Sequence, residues 1–164
     1  MKVQTLSILR EGNQLLMGKK VPGGFGGGVW NFFGGKRKSG ENIPACAVRE
    51  TREECGAVMV QFEKKGIVIF DFQDSTESKE VHIFECTSWM GKIKRKTQEM
   101  DTIQFFDEKH LPFEMWPGDI FWLPTFLSGK KFRGRFTYNH HPSKDGLKVL
   151  EHNIEIVETL ETAF

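Results

Sequence analysis

Glu50, Glu53 and Glu54 stand at positions i, i+3 and i+4 within the segment GKRKSGENIPACAVRETREECG, which runs from Gly35 to Gly56. At about 100° per residue, a helix through this segment projects all three carboxylates from neighbouring positions on one face. Like charges that close repel one another and cost helix stability unless a cation sits among them. A hard divalent ion, Mg²⁺ or Mn²⁺, prefers carboxylate and water oxygens and offsets that repulsion. A plainer reading competes with this one: glutamates are common on solvated helix faces, and Arg49 and Arg52 can screen these. The helix by itself does not decide between the two.

The elements that must position the cluster are legible in outline. Asn42 is suited to cap the helix and Pro44 to sit in a first turn that needs no amide donor there. Gly56, just past Cys55, suits the left-handed position that ends it. Val48, Thr51 and Cys55 fall on another side and can face the core. Val3–Leu9 reads as a strand, Glu11-Gly12-Asn13 as a turn and Gln14–Gly18 as its return, which makes a hairpin. Between Gly23 and Gly35, glycines alternate with Phe25, Val29, Trp30, Asn31, Phe32 and Phe33, which predicts a shaped loop ending in a short strand. Further strands are predicted over 66–72, 81–86 and 104–106, with a polar turn over 73–80. A second amphipathic helix is predicted over Asp119–Leu127 despite Pro124. Lys131–Tyr138 alternates as a half-exposed strand does, and Val149–Val157 can pair with it. This order predicts an α+β or α/β layered domain.

The wider pattern tips the balance at the carboxylates. Gly35, Glu41, Arg49-Glu50, Glu53-Glu54 and Gly56 resemble the Nudix box, G-x5-E-x7-R-E-U-x-E-E-x-G-U, with U apolar. Every fixed residue is present at its spacing. The departures are Thr51, polar at the first U position, and the small Ala57 at the second; neither removes a carboxylate. The resemblance implies an α+β fold, an α/β/α sandwich in which a mixed sheet carries the box helix and a second helix on its faces. It implies that the Gly35 carbonyl and Glu50, Glu53 and Glu54 hold the metal, Mg²⁺ or Mn²⁺, and that Arg49 and Glu41 tie loop to helix. Water then attacks a phosphorus of a nucleoside diphosphate-linked group. Glu50 is the first candidate for the base. Glu99 is the second, since the family often places a further metal-binding acid on a loop there.

Outside the box the sequence is similar to the MutT-homologue branch, the oxidised-purine nucleoside triphosphatases. The matching stretches include Gly24-Phe25-Gly26, Trp30-Asn31, Phe33-Gly34-Gly35-Lys36, Val81-His82-Ile83-Phe84, Met115-Trp116-Pro117 and Phe121-Trp122-Leu123-Pro124. By that likeness Asn31 and Asp119 bond the purine edge and Trp116 stacks on the ring. Thr5, Phe25, Phe70 and Phe72 line the pocket with Gly34 and Gly35, and Lys19 or Lys20 lies toward the sugar or phosphate. The mammalian form has two adjacent acids after its Trp-Pro pair; here the first is Gly118. A pocket methionine of that branch is also missing, with Lys79 near its place. A planar base needs aromatic walls and a few buried polar groups, so the residue types agree in kind. Trp116 as a core aromatic and Asn31 as a cap of the glycine loop are the plainer alternatives. His82 reads as structural, and His140-His141 receives no chemistry.

Composition bounds the rest. The chain has 164 residues, which fits one domain spanning 1–164. The 23 basic and 22 acidic residues leave a net charge of +1, so no bulk field favours a long nucleic acid and no stable partner of that kind is expected. Cys46, Cys55 and Cys86 are odd in number and lack CxxC spacing, which argues against a disulfide framework and a zinc knuckle. The opening MKVQTLSIL has no charged leader or cleavage site, and no apolar stretch spans a bilayer, so cytoplasm and a monomer are expected.

Overall fold

The computed structural model describes residues 1–23, 27–142 and 146–160. In it β1 (Lys2–Glu11) and β2 (Gln14–Lys20) form the predicted hairpin. Gly12 turns it with a φ of 59°, a left-handed conformation free of strain only without a Cβ. The chain continues through β3 (Trp30–Asn31), α1 (Ile43–Cys55), β4 (Val58–Phe72) and β5 (Lys79–Met90). It closes with β6 (Met100–Asp107), α2 (Asp119–Leu127), β7 (Lys131–Tyr138) and β8 (Val149–Val157).

α1 carries both predicted end signals. Asn42 accepts a hydrogen bond from the Ala45 N–H at 2.8 Å, a cap worth about 1 kcal/mol. Gly56, at φ 86°, donates its N–H to the Arg52 carbonyl at 2.9 Å. A side chain there would also meet the Lys92 carbonyl at 2.8 Å, so glycine is required twice over.

The described strands form one mixed sheet in the order β3-β2-β1-β5-β4-β7-β8, with β6 paired to β2. β1 runs parallel to β5, from Lys2 opposite Lys79 to Leu9 opposite Cys86. β4 runs parallel to β7, while β5 and β8 flank that pair antiparallel. Because strand side chains alternate between faces, neighbouring residues enter different cores. Ile8, Leu15, Phe32 and Ile83 pack under α2 with Trp122, Leu123 and Phe126. Leu9, Leu16, Phe33 and Phe84 pack under α1 with Ile43, Ala47 and Cys55. The two helices therefore cover opposite faces, the α/β/α arrangement that the family resemblance implied. Trp122, fully buried and stacked on Phe132 at 6.0 Å, anchors one side; its loss would cost about 3–5 kcal/mol. The three cysteines are free and buried. No described helix is long and apolar enough to cross a membrane.

Candidate functional site

The segment after β3 is laid along β1. Ser7 and Phe33 exchange backbone hydrogen bonds at 2.6 and 3.2 Å, and Thr5 N–H donates to the Gly35 carbonyl at 2.9 Å. This corrects one expectation: the Gly35 carbonyl is turned toward β1, not toward the carboxylates. The backbone that faces α1 belongs to Gly34, whose N–H donates to Glu54 Oε1 at 2.7 Å. In an extended segment the N–H and C=O of one residue point to the same edge, so the Gly34 carbonyl shares that side. Neither glycine tolerates a side chain. A Cβ on Gly34 would run into the Thr5 carbonyl, and one on Gly35 would lie 2.5 Å from the Glu50 carboxyl carbon.

Arg49 is the hub of the helix face. It grips Glu41 with two bonds, Nε to Oε1 at 2.6 Å and Nη2 to Oε2 at 3.0 Å, and reaches the Lys36 carbonyl at 3.1 Å. The guanidinium, helped by the Lys38 amide, holds the Glu41 carboxyl down to about 2. The predicted loop-to-helix tie is therefore in place. Arg49 Nη1 also touches Glu50 Oε1 at 2.9 Å and Glu53 Oε2 at 3.2 Å.

The three glutamates share a face but grade from interior to solvent: Glu54 is 1% exposed, while Glu50 and Glu53 side chains are 14% and 52% exposed. Burial, then the neighbouring Glu99, pushes the Glu54 carboxyl up to about 9. Burial also raises Glu50 against the opposing pull of Arg49, with Glu53 and Glu99 adding repulsion. Glu99 is delivered by its own backbone, whose carbonyl accepts from Val21 N–H at 3.0 Å. Glu54 Oε2 is buried with no hydrogen-bond partner. It faces another acceptor, and two carboxylates can be reconciled only by a shared proton or a cation. Among the described residues no three Asp, Glu, His or Cys side chains close a ligand set by themselves, because Arg49 draws Glu50 and Glu53 aside. The orphaned oxygen and the all-oxygen donor set still fit a hard cation that keeps several waters.

A cavity of about 310 Å³ opens beside this cluster, large enough for one small ligand. Its aromatic end holds Phe32, Phe70 and Trp116; Asn31 and Asp119 supply polar groups, and Thr5, Gly34 and Gly35 reach the carboxylate side. Phe70 and Trp116 lie 6.4 Å apart and 25° from parallel. Asp119, 4% exposed, accepts from Trp122 Nε1 at 3.1 Å, and burial pushes its carboxyl up to about 7. Asn31 Nδ2 donates to the Val29 carbonyl at 2.9 Å, so its amide also braces the glycine loop.

Several expectations change. Lys20, not Lys19, lines the cavity; Lys19 instead meets Glu114 at 3.4 Å. Phe72 is not part of the lining: it is buried in the core behind it, stacked on Tyr138 at 5.6 Å. Phe25 lies outside the described residues. His82 is buried with Nε2 2.9 Å from Glu80, as a structural histidine. His141 reaches the cavity wall, which its sequence context did not suggest. Lys79, which the resemblance placed near a pocket methionine, is 4% exposed and lines the cavity; what the sequence did not show is the β1–β5 pairing that sets it opposite Lys2. Gly118 has a structural partner, because a Cβ there would collide with the Tyr138 hydroxyl, which accepts from Trp116 Nε1 at 2.9 Å.

Residues 2–126 match the NUDIX domain family. Over 160 residues the chain is 38% identical to the oxidized purine nucleoside triphosphate hydrolase of Danio rerio, covering 97% of each chain. Over 138 residues it is 38% identical to the protein of that name from Mus musculus, covering 84% of this chain and 86% of the other. Its fold is similar to the crystal structure of a mutator MutT protein from Bacillus halodurans, with TM-score 0.78 and 20% identity over 94% of this chain and 98% of that one.

Proposed function

This chain belongs to the Nudix hydrolase family, and from that premise we propose that it hydrolyses oxidised purine nucleoside triphosphates with Mg²⁺, 8-oxo-dGTP foremost. The products are the nucleoside monophosphate and pyrophosphate, which removes damaged precursors before they enter DNA. Enzymes of this family use divalent cations. The observation that carries the reading is the double position of Gly34. It lines the cavity that holds Asp119 and Trp116, and it donates to Glu54 at 2.7 Å. One ligand can therefore place its base among the aromatic rings and its phosphates beside the acids.

The reaction forms a bond from water oxygen to a phosphorus and breaks the bridging P–O bond between the α and β phosphates. A water proton must be taken up as the bond forms, and pyrophosphate leaves. Glu54, Glu50, Glu53 and Glu99 would hold the ion, with the Gly34 backbone as oxygen donor in place of Gly35. When bound, the ion neutralises phosphate oxygens and acidifies the attacking water. Glu50, half-buried and oriented by Arg49, takes the proton; Glu99 is the other acid within the same cluster. Trp116 and Phe70 clamp the base plane, and Asp119 accepts from its N–H edge.

Pyrophosphate release tests the assignment, with Mg²⁺ present, against 8-oxo-dGTP, 2-oxo-dATP, ordinary dNTPs, ADP-ribose and capped RNA. The oxidised purine triphosphates are expected to give the highest kcat/KM. Equal or faster turnover of ADP-ribose or capped RNA would overturn the substrate assignment in favour of another Nudix pyrophosphohydrolase. Unchanged turnover in a Glu54→Gln variant would show that the acids are not the catalytic centre.

A further inference from the structure

Tyr138 ends β7 and is fully buried. The parallel pairing of β4 with β7 sets it opposite Phe72, whose ring stacks on it at 5.6 Å, while Phe70 stands edge-on to it at 5.4 Å. Two rings of one strand therefore fix the phenol. Trp116 is carried differently, on the connection over 108–118 between β6 and α2, outside any strand or helix. One polar contact joins the two: Trp116 Nε1 donates to the Tyr138 hydroxyl oxygen at 2.9 Å, and both side chains are buried.

A phenylalanine at 138 would pack the same ring against Phe70 and Phe72 without burying a hydroxyl, which costs free energy unless it is hydrogen-bonded. Packing accounts for the ring and not for the oxygen. The outer torsion of a tryptophan is broad and roughly two-fold, so neighbouring groups must choose its plane. An indole N–H lies in the plane of its ring, and the bond to Tyr138 holds that plane while leaving the faces open. The rings of Trp116 and Tyr138 accordingly meet at 69°, whereas Trp116 lies 25° from parallel to Phe70, the other ring of the cavity wall. Tyr138 takes no part in that wall, so it acts on a ligand only through another side chain. We propose that Tyr138 is a positioning residue of the base site: its hydroxyl fixes the plane of Trp116, and that plane, set before a ligand arrives, governs how tightly a purine binds. The inference rests on the proposed function in one respect, that the base stacks on Trp116.

The chain has four tryptophans, and their indole N–H signals in a nitrogen–proton correlation spectrum report the bond; the signal lost in Trp116→Phe is that of Trp116. In Tyr138→Phe this signal should move upfield, and further than the other three. Direct binding of 8-oxo-dGMP should weaken about three- to tenfold, the net worth of one hydrogen bond. KM for 8-oxo-dGTP should rise more than kcat falls, and inhibition by inorganic pyrophosphate, which has no base to stack, should keep its Ki. In the Trp116→Phe background, where no indole N–H needs holding, Tyr138→Phe should cause no further loss of 8-oxo-dGMP binding. Thermal melting checks that each variant is folded. If Tyr138→Phe is not, Gly118→Ala displaces the same hydroxyl, since a Cβ there would collide with it, and the same readouts apply. An unmoved indole signal, unchanged 8-oxo-dGMP binding, a further loss in the Trp116→Phe background or an equal weakening of pyrophosphate would each overturn the proposal. A Trp116→Leu variant that binds 8-oxo-dGMP as the wild type does sinks the base placement beneath it. A wild type that cleaves neither 8-oxo-dGTP nor 2-oxo-dATP sinks the proposed function itself.

Discussion

At the scale of single residues, the base contact proposed for Asp119 also bears on stability. Its carboxyl is 4% exposed and is pushed up to about 7 by burial, although Trp122 donates to it. An unfolded chain ionises the same group near 3.9. The folded pKa is therefore the higher one, and folding takes up a proton between about pH 4 and pH 7. The stability this provides is complete below pH 4 and is lost as pH rises through 7. Asp119→Asn cannot titrate, so its melting temperature should fall less than the wild type's between pH 5 and pH 7.5. Glu54, raised for a similar reason, is common to both proteins and leaves the difference to Asp119. Two parallel pH profiles would mean that Asp119 is ionised and solvated in the folded protein. Turnover of 8-oxo-dGTP by the variant should drop on the order of ten- to a hundredfold, since an amide cannot accept from two N–H groups as a carboxylate does.

At the scale of elements, the start of α2 and the end of β7 have been fitted to each other. Gly118 stands where the resemblance to the oxidised-purine branch implies a first acid, and the Tyr138 hydroxyl fills the volume a side chain there would need. Gly118→Asp alone should cost about 1–3 kcal/mol by overpacking. Tyr138→Phe alone should cost a similar amount, because the buried Trp116 N–H loses its acceptor. Together they should cost less than the sum, since the smaller ring admits the new carboxylate and the carboxylate can take the Trp116 proton. A double-mutant cycle by chemical denaturation reads the coupling directly, and strictly additive costs would refute the fit. Such cross-element fits are what the sequence could not display. α1 was legible because its cap, its first-turn proline and its terminal glycine are local signals, and α2, β7 and β8 because their apolar spacing is regular. β4 was legible only from Gly66. Its earlier half is held by an irregular ladder to β5, with register shifts after Met59, Gln61 and Lys64, and the polar run there hides the alternation. The three helix glutamates were written in one helix, whereas the direction of the Gly35 carbonyl and the setting of Lys79 opposite Lys2 depend on how β1 pairs with distant segments.

At the scale of the whole molecule, a net charge of +1 conceals a local imbalance. Lys2, Lys20, Lys36 and Lys79 line the cavity against Glu77 and Asp119. Lys2 is paired with Glu77 at 2.5 Å, and Asp119 is only partly ionised at neutral pH because its carboxyl sits at about 7. The excess is positive and lies on the carboxylate side of the cavity, since Lys20 acts on Glu54 and Lys36 follows Gly35 in the lining. Such a field acts at short range: it attracts a compact anion and offers no extended track to a long one. Screening shortens to about 10 Å at 0.1 M salt and about 3 Å at 1 M, so kcat/KM for 8-oxo-dGTP should fall several-fold between low and high salt. The loss should appear in KM, because chemistry inside the cavity is shielded from bulk ions, and duplex DNA at equal phosphate concentration should not compete. A KM indifferent to salt would mean that the lysines serve packing alone, and inhibition by DNA would mean that the positive surface extends well beyond the pocket. Either outcome would break the link drawn between the paired strands β1 and β5, which bring Lys2 and Lys79 together, and the capture of a small polyphosphate by an otherwise neutral protein.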